Sequence, residues 1–368
     1  MGAMTMIQSK GPLFITKGDE VASGASLYTF YSSFKRSIQP ISLGVNFEYV
    51  QLVPDSYVLS MDDASVYSYD GVVLIAGSRI YQDSLWTWST LFKSPNDIFS
   101  VSLPEKKDYV MATIAMSGHA NYYHWMTEIL PRVYMLQQAA LQSPEYAYDV
   151  LYVPPLRYSF QKETLRAMGV NCDVCVEAQI DTHIKPKKLL FPSQVAISGI
   201  TPEWVITFLK TTFLKNYVLK NGKKRLFISR ENAFMRKIIN EQEIFDCVKE
   251  YGFEKVFMEH LTVVEQAELL HEAEYVIGTH GAGMTNIVFA RPGTVIIELF
   301  QEHLDRTFFD LSQVMGLSYY CIKTKTIEYL SEQDIDIRFR NTCIDGKHVK
   351  VQLENVFKKI GLNNELKS

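Results

Sequence analysis

Short apolar runs alternate with amphipathic segments along most of this chain after residue 109. The runs 109–116, 275–277 and 295–299 are typical of strands that are buried on both faces of a parallel sheet. Between such runs, apolar residues recur every three or four positions, as they do on one face of a helix. Strands that alternate with helices at this pace predict an α/β protein with doubly wound sheets.

The first part of the chain has a different pattern. Residues 44–50 and 66–69 alternate between apolar and polar positions with a period of two, and residues 69–72 (Tyr-Asp-Gly-Val) form a hairpin signal. We therefore expect a β-rich N-terminal portion before the α/β pattern begins.

Several helix starts carry capping signals. Asn121 is placed to cap a helix that runs to about residue 141, and Pro131 is expected to kink that helix or to end its first half. Capping boxes are predicted at residues 240–243 and 262–265.

The same pattern predicts two domains and a tail. We place the first domain at residues 1–200 and the second at 201–335, because the strand and helix series restarts there. Residues 336–368 form the tail, in which residues 351–360 predict a short amphipathic helix that packs back across the first domain.

Composition narrows the classes of protein that fit. The chain has 368 residues and a net charge of −4, which argues against a nucleic-acid-binding protein. Its 5 cysteines are an odd and scattered set, which favours free thiols in a reducing compartment. The lone pair Cys172 and Cys175 lacks the second pair that a structural zinc needs, and the Asp334-Ile335-Asp336 motif is interpreted as chance.

A glycine-rich turn separates the apolar runs 275–277 and 295–299. Gly278, Gly281 and Gly283 are expected to allow positive φ angles and a close approach of a ligand to the backbone. Their spacing matches neither a dinucleotide fingerprint nor a P-loop. A helix start follows, and helix starts favour anions such as phosphate. The alternative is a tight turn without a ligand.

Two arginines are predicted to lie at the same edge of the sheet as this turn. Arg230 follows the first strand of the second domain, and Arg236 is nearby in sequence. Two guanidinium groups opposite a helix start would neutralise a diphosphate through paired hydrogen bonds. The alternative is that both are ordinary solvated surface arginines.

A second polar cluster lies at the start of the helix after residue 121. His124, Glu128 and Arg132 are spaced four residues apart and are expected to share one helical face, with His119 and Tyr123 nearby. The alternative is a solvated polar face. We predict no metal, because no third ligand is evident beside the histidine and the glutamate.

Three stretches together resemble glycosyltransferase family 61. They are the glycine turn with its following strand, residues 227–241 with both arginines, and residues 121–132, so the resemblance covers about residues 109–299. It implies the GT-B architecture, in which two Rossmann-like domains face each other across a cleft. It also implies an inverting, metal-independent transfer from a nucleotide sugar, usually UDP-linked, which is held by the C-terminal domain.

The resemblance assigns roles to residues by position. Arg230 and Arg236 would hold the diphosphate, and His280 would face the phosphate or the donor sugar. Glu298 would bind ribose hydroxyls or lie near them. Further donor-binding positions lie in the turn and in the first turn of the helix after it: Gly281, Ala282, Gly283, Thr285 and Asn286.

The first domain would then bind and activate the acceptor. We hypothesise that Glu128 is the base that deprotonates the acceptor hydroxyl and that His124 is the second candidate, although the family often has Asp at the position of Glu128. Candidate acceptor contacts come from the same cluster: His119, Asn121, Tyr123 and Arg132.

These assignments lead to expectations about partners and location. We expect a nucleotide sugar, a glycan or lipid-linked glycan acceptor, no cofactor and no nucleic acid. The reduced thiols favour a bacterial cytoplasmic enzyme of capsule or surface-glycan synthesis, with peripheral membrane contact as a further expectation. The alternative location is the lumen of the secretory pathway, for a trimmed enzyme. A nucleotide-sugar-binding protein without transferase activity is the alternative function, and an epimerase or dehydrogenase is disfavoured because no dinucleotide fingerprint is found.

Overall fold

The computed structural model describes residues 14–23, 25–38, 49–76, 79–85, 101–196, 199–218, 222–302, 304–329 and 336–362. Contacts divide the chain into two compact units, of which the first comprises residues 1–35 and 52–197. The second unit comprises residues 36–51 and 198–368. Residues 44–48 of one predicted strand, residues 334–335 of the DxD motif and residues 363–368 lie outside the described residues.

Residues 36–51 belong to the second unit, whereas the sequence had placed them in the first domain. The guanidinium group of Arg36 donates hydrogen bonds to the carbonyl of Thr201 at 3.2 Å and to Glu203 at 3.0 Å. Gln51 donates to Asp310 at 2.8 Å. These polar contacts join sequence positions that are more than a hundred residues apart, which a pattern of local periodicity does not reveal.

The first unit contains two six-stranded sheets. One has the strand order β12-β11-β10-β14-β5-β2, in which the first four strands are parallel and the last two pairings are antiparallel. Its strands are β2 (Ser26–Tyr31), β5 (Ser56–Met61), β10 (Val110–Thr113), β11 (Val150–Val153), β12 (Cys175–Glu177) and β14 (Lys188–Pro192). The predicted α/β pattern after residue 109 is therefore confirmed in this sheet.

The other sheet of the first unit is largely antiparallel and comes mainly from the N-terminal portion. Its order is β1-β8-β7-β6-β13-β9. Its strands are β1 (Phe14–Ile15), β6 (Ala64–Tyr67), β7 (Val72–Ile75), β8 (Arg79–Tyr81), β9 (Glu105–Lys106) and β13 (His183–Lys185). The predicted hairpin is present, because Tyr67 pairs with Val72 and the turn between them contains Gly71 with a φ of 69°. A separate two-stranded sheet pairs β3 (Phe34–Ile38) with β4 (Tyr49–Val53).

The helix that begins beyond Asn121 contains a π-helical turn. The Asn121 side chain accepts a hydrogen bond from the backbone N–H of Tyr123 at 2.8 Å, as predicted for its cap. The segment Trp125–Ile129 is π-helical and leads into α3, in which Pro131 lies in the first turn. Since proline lacks an N–H and crowds the preceding turn, the predicted disturbance takes the form of this wider turn. The helices of the first unit are α1 (Lys17–Ala22), α2 (Tyr122–His124), α3 (Leu130–Gln142) and α4 (Ser159–Ala167).

The second unit is built on one five-stranded parallel sheet of order β16-β15-β17-β18-β19. Its strands are β15 (Lys224–Ile228), β16 (Glu254–Val256), β17 (Ala273–Thr279), β18 (Val295–Phe300) and β19 (Ser318–Lys323). The pair β20 (Thr326–Tyr329) and β21 (Thr342–Ile344) is antiparallel. The helices are α5 (Glu203–Phe213), α6 (Glu241–Lys249), α7 (Val263–His271), α8 (Thr307–Met315) and α9 (Gly346–Ile360), with a 3-10 helix at Ala282–Phe289. No helix within the described ranges is long and apolar enough to cross a bilayer.

The C-terminal helix packs within the second unit, and the prediction that it returns to the first domain is wrong. Its apolar residues Val349, Leu353 and Phe357 belong to the buried cluster that contains Phe227 and Ile277 of the parallel sheet. The helix itself lies where the amphipathic pattern predicted it. Its apolar stripe indicates that the helix packs on a sheet, but the stripe does not indicate which sheet.

One of the two predicted capping boxes is present. Thr262 and Glu265 cap α7 reciprocally. Asn240 does not cap α6 with its side chain, because its amide donates to the Ile344 carbonyl at 2.8 Å and its oxygen accepts from the Ile344 N–H at 3.0 Å. The competing partner comes from β21, which is distant in sequence.

Candidate active site

The carboxyl ends of three neighbouring strands gather the predicted donor-binding residues of the second unit. Ile228 of β15 pairs with Gly278 of β17, and Gly278 pairs with Glu298 of β18. The residues that follow β15 and β17, namely Arg230 and His280, therefore lie at one edge of the parallel sheet, where ligands of open α/β sheets bind.

The glycine turn is needed for close packing and not for positive φ angles. None of its three glycines lies in the left-handed region of positive φ, and Gly281 is extended, with a φ of 164°. A Cβ on Gly281 would lie 1.9 Å from an NH1 atom of Arg230, and one on Gly278 would lie 2.5 Å from the sulfur of Met284. The expectation of positive φ is thus corrected, and the group that approaches the turn is the guanidinium of Arg230.

The backbone N–H of Arg230 and one end of its guanidinium group make hydrogen bonds within the protein, whereas its Nε does not. Its N–H donates to Glu241 at 2.8 Å, and an NH2 atom donates to the carbonyl of Met235 at 2.8 Å. Its Nε is buried and has no hydrogen-bond partner among the described residues. Burial, and after it the nearby charge of Arg236, lower the pKa of Arg230 to about 10.

Arg236 lies close enough to repel Arg230 electrostatically. It has a φ of 59°, a left-handed conformation that costs a non-glycine residue about 1 kcal/mol. Its Nε is also buried without a partner in the part of the chain that the structure describes. Burial lowers its pKa, against the opposing effects of Asp305 and Glu298. Two like charges with unused donors are the arrangement expected of a candidate anion site.

Two buried hydroxyl groups at the same turn add further hydrogen-bonding capacity. The Oγ1 atoms of Thr279 and Thr285 are both buried with no partner within the described ranges. Thr279, Arg230 and Gly283 line a cavity of about 200 Å³, and Asn232 and Glu259 also line it. Sequence reasoning missed Thr279, although it ends the strand that leads into the turn and that position was a usable signal.

The side chains of two predicted donor-binding residues are engaged in contacts within the protein. Asn286 is buried, and its amide donates to Gln266 at 2.7 Å and to the carbonyl of Gly283 at 3.2 Å, so it ties the 3-10 helix to α7. Glu298 is fully buried and contacts His280 at 2.6 Å and the hydroxyl of Tyr319 at 2.5 Å. Direct contact of Glu298 with a ribose is therefore corrected to contact with His280. Ala282 begins the 3-10 helix beside Gly281, and its donor-binding role stays a prediction.

In the first unit, the structure brings together His124 and Glu128. Nδ1 of His124 lies 3.0 Å from Oε1 of Glu128, and the side chains are 13% and 1% exposed, respectively. Among the residues described, neither carboxylate oxygen of Glu128 has a well-aligned hydrogen-bond partner. The pair sits on the π-helical turn, and such turns are frequent at functional sites.

The other predicted acceptor contacts are occupied within the protein. Arg132 is 1% exposed, and its guanidinium donates to the carbonyls of Thr113, Ile114, Ala115 and Pro192 at 3.1–3.3 Å. The acceptor role of Arg132 is therefore corrected to one of holding the ends of β10 and β14 against α3.

His119, Asn121 and Tyr123 surround the same helix start. A ring nitrogen of His119 lies 3.2 Å from the carbonyl of Met116, and burial lowers the pKa of this histidine. Asn121 is used as the helix cap, and Tyr123 is buried. These contacts shape the surroundings of His124, and a role in acceptor binding stays a prediction for all three.

No group of three or more His, Cys, Asp or Glu side chains in the described residues is placed to hold a metal ion. The chemistry at the second unit's sheet edge is instead that of guanidinium, hydroxyl and imidazole groups.

The second unit is an α/β unit whose candidate site lies at the carboxyl edge of its parallel sheet. The sequence profile of the family Glycosyltransferase 61 matches residues 122–297. This range includes the pair His124 and Glu128 and the glycine turn, and it ends within β18. Over these residues the chain is similar to glycosyltransferase family 61.

Curated relatives match a shorter part of the chain. The EGF domain-specific O-linked N-acetylglucosamine transferase of Gallus gallus is 30% identical over 105 residues, which are 27% of this chain and 20% of that protein. The beta-1,2-xylosyltransferase of Arabidopsis thaliana is 30% identical over 138 residues, which are 29% of this chain and 26% of that protein. The similarity thus spans about a fifth to a quarter of these relatives' own length.

Proposed function

We propose that this protein is a glycosyltransferase that moves a sugar from a nucleotide donor, most simply a UDP-sugar, to a hydroxyl group of a glycan acceptor. The observation that carries the proposal is the position of Arg230 and Thr279 at the glycine turn, with the charge of Arg236 close to Arg230. Both arginines and Thr279 have buried polar atoms with no partner among the described residues. The match of residues 122–297 to family 61 and the names of the relatives support the reaction class.

The donor diphosphate would bind at the second unit's sheet edge. Departure of a nucleoside diphosphate leaves negative charge on the leaving oxygen, and the two guanidinium groups supply positive charge at that point. Because the guanidinium groups are already buried, they need little further desolvation when the ligand arrives. This charge supports a transfer that does not depend on a metal ion.

Acceptor activation would use the pair His124 and Glu128. The carboxylate of Glu128 is 1% exposed, whereas the imidazole of His124 is 13% exposed, so a hydroxyl group reaches the imidazole more readily. We therefore propose His124 as the base and Glu128 as the group that orients it, which reverses the ranking drawn from the sequence. A base that acts on the acceptor while the diphosphate leaves would invert the anomeric centre.

The finer parts of the proposal rest on the resemblance. They are the GT-B arrangement of the two domains, a lipid-linked or free glycan as acceptor, peripheral contact with a membrane, and a role in surface-polysaccharide synthesis. The free thiols of all five cysteines are compatible with a reducing compartment, which is the location we propose.

The first experiment is a ligand screen followed by a transfer assay. Thermal unfolding is measured with UDP-, GDP- and CMP-sugars, and a stabilising donor is then tested for transfer to glycan acceptors, with NMR of the product's anomeric proton. We expect stabilisation by UDP-sugars and an inverted product. Binding with only slow hydrolysis against every acceptor would favour a nucleotide-sugar-binding protein, and stabilisation by no nucleotide sugar would refute the proposal.

A further inference from the structure

The cavity beside Arg230 is lined by residues at the carboxyl ends of three neighbouring strands, β16, β15 and β17. Thr279 is the last residue of β17, and Asn232 lies in the loop that follows β15. Glu259 lies in the short 3-10 helix that follows β16 at the edge of the sheet. One cavity therefore joins the guanidinium of Arg230 to the carboxylate of Glu259.

The carboxylate of Glu259 is held at one oxygen and open at the other. Nδ2 of Asn232 donates to Oε1 of Glu259 at 2.8 Å, and both residues are exposed. Among the described residues, no other group donates a hydrogen bond to this carboxylate. Since an ionised carboxylate accepts hydrogen bonds and donates none, its open oxygen can receive an O–H or N–H group of a ligand in the cavity.

The charges along the cavity determine which part of a ligand fits at each end. Burial lowers the pKa of Arg230, whereas the charge of Glu259 raises it, so the two side chains interact electrostatically. A phosphate group would be attracted to the guanidinium and repelled by the carboxylate. The part of the ligand beside Glu259 must therefore be uncharged and carry hydrogen-bond donors, as the hydroxyl groups of a sugar ring do.

We propose that Glu259, oriented by Asn232, binds ring hydroxyl groups of the donor next to its diphosphate, so that the cavity selects a nucleotide whose hydroxyl groups are intact. This inference rests on the proposed function, because it assigns a contact within the same donor site. Neither residue was selected from the sequence. The family resemblance assigned hydroxyl contacts to Glu298, which is fully buried and contacts His280.

A nucleotide sugar carries such hydroxyl groups on both sides of its diphosphate, on the ribose and on the transferred sugar. The cavity of about 200 Å³ is smaller than the roughly 300 Å³ or more of pockets that enclose a whole drug-sized ligand, so it suits one ring of the donor. We expect that ring to be the ribose, because the transferred sugar has to stay accessible to the acceptor.

The test compares the affinities of UDP and 2′-deoxy-UDP, measured by isothermal titration. A hydrogen bond to an exposed carboxylate lies at the weak end of the range for charged partners, so the wild type should bind UDP about tenfold more tightly. The ratio of the two affinities is the informative quantity. Both ligands carry the same diphosphate, so a change in its repulsion by Glu259 cancels in the ratio.

A graded series of variants follows from this contact, with thermal unfolding as the check on folding. Glu259→Ala should lower the ratio to about one. Glu259→Gln should leave a ratio of about three, because a hydrogen bond to an uncharged partner is about half as strong. Glu254→Ala is the matched control, since Glu254 is also exposed but is not among the residues that line the cavity, and it should keep the tenfold ratio.

The orienting role of Asn232 has its own readout. Asn232→Ala should lower the ratio, because the carboxylate loses the group that holds one of its oxygens. Asn232→Ala combined with Glu259→Ala should give the same ratio as Glu259→Ala alone, because the group that the asparagine orients is already absent. A tenfold ratio retained in Asn232→Ala would overturn the orienting role.

A second ratio, between the affinities of UDP-N-acetylglucosamine and UDP, tests the transferred sugar with the same variants. If Glu259→Ala changes this second ratio and leaves the first unchanged, the bound hydroxyl groups belong to the transferred sugar. If Glu259→Ala changes neither ratio, the inference is overturned and the proposed function survives. Failure of the wild type to bind UDP or any nucleotide sugar would instead count against the proposed function itself.

Discussion

Gly281 and Arg230 occupy adjoining space, and this contact gives the sharpest prediction about the donor site. In Gly281→Ala, the new Cβ would lie 1.9 Å from NH1 and 2.6 Å from Cζ of Arg230. Carbon and nitrogen atoms in contact need about 3.5 Å, so the guanidinium must move by about 1.6 Å. The backbone need not move, because a φ of 164° is open to any residue.

The expected loss follows from what the displaced group would have contributed. A hydrogen bond to a charged partner contributes about 1.5–3 kcal/mol, and a guanidinium displaced this far loses one or two of them to the diphosphate. A loss of about 3 kcal/mol corresponds to roughly 100-fold weaker binding of the nucleotide sugar. Stability should change by less than about 1 kcal/mol, because the end of a flexible side chain relieves the clash.

A double-mutant cycle separates this mechanism from a general disturbance of the turn. UDP-sugar affinity is measured by calorimetry for Gly281→Ala, Arg230→Ala and the combination, with thermal unfolding as the check on folding. We expect the combination to bind no more weakly than Arg230→Ala alone, because the group that the methyl displaces is already gone. Gly18→Ala on α1, whose Cβ would make an ordinary 3.7 Å contact with Thr16, is the matched control. Wild-type affinity in Gly281→Ala, or fully additive losses in the combination, would refute the reasoning.

Three further predictions test other parts of the structure. Thr279→Val should leave stability unchanged or slightly higher, since it replaces a buried hydroxyl without a partner among the described residues. The same change should weaken donor binding about tenfold. Equal affinity in calorimetry would remove Thr279 from the site. His124→Gln and Glu128→Gln should each lower the transfer rate by about 100-fold with donor affinity unchanged. A transfer rate within a few-fold of wild type for either variant would show that the pair does not act in deprotonating the acceptor. Arg132→Met should lower the free energy of unfolding by about 3 kcal/mol, because buried carbonyls lose their hydrogen-bond donor. The affinity for the nucleotide sugar should stay constant. A chemical denaturation curve like that of the wild type would contradict the structural role.

The two histidine–glutamate pairs show how far local sequence reasoning reaches. His124 and Glu128 are four residues apart on one helical segment, so their contact could be predicted from spacing alone. Their difference in exposure could not be predicted, because it depends on how the π-helical turn packs against the rest of the first unit. His280 and Glu298 are 18 positions apart and meet only because β17 and β18 are neighbours in the sheet.

The glycine turn illustrates a correct location with an incorrect physical reason. The pattern placed a tight glycine turn after a buried strand, and the structure has that turn, with Arg230 and Thr279 beside it. Gly281 is required because a guanidinium group fills the space of a side chain, and that neighbour comes from a strand about fifty residues earlier. Sequence periodicity contains no information about which distant side chain will occupy such a space.

By itself, the sequence determined the order of strands and helices, the β-rich start, the parallel sheet of the second unit and the position of the glycine turn. These features follow from hydrophobic periodicity and turn residues, which act over a few neighbouring positions. Only the tertiary structure decided that α9 packs in the second unit, that Arg132 and Asn286 serve the fold, and that Glu298 is a partner of His280. Those outcomes depend on which distant groups compete for each buried donor or acceptor, and that competition is settled when the sheet and its covering helices assemble.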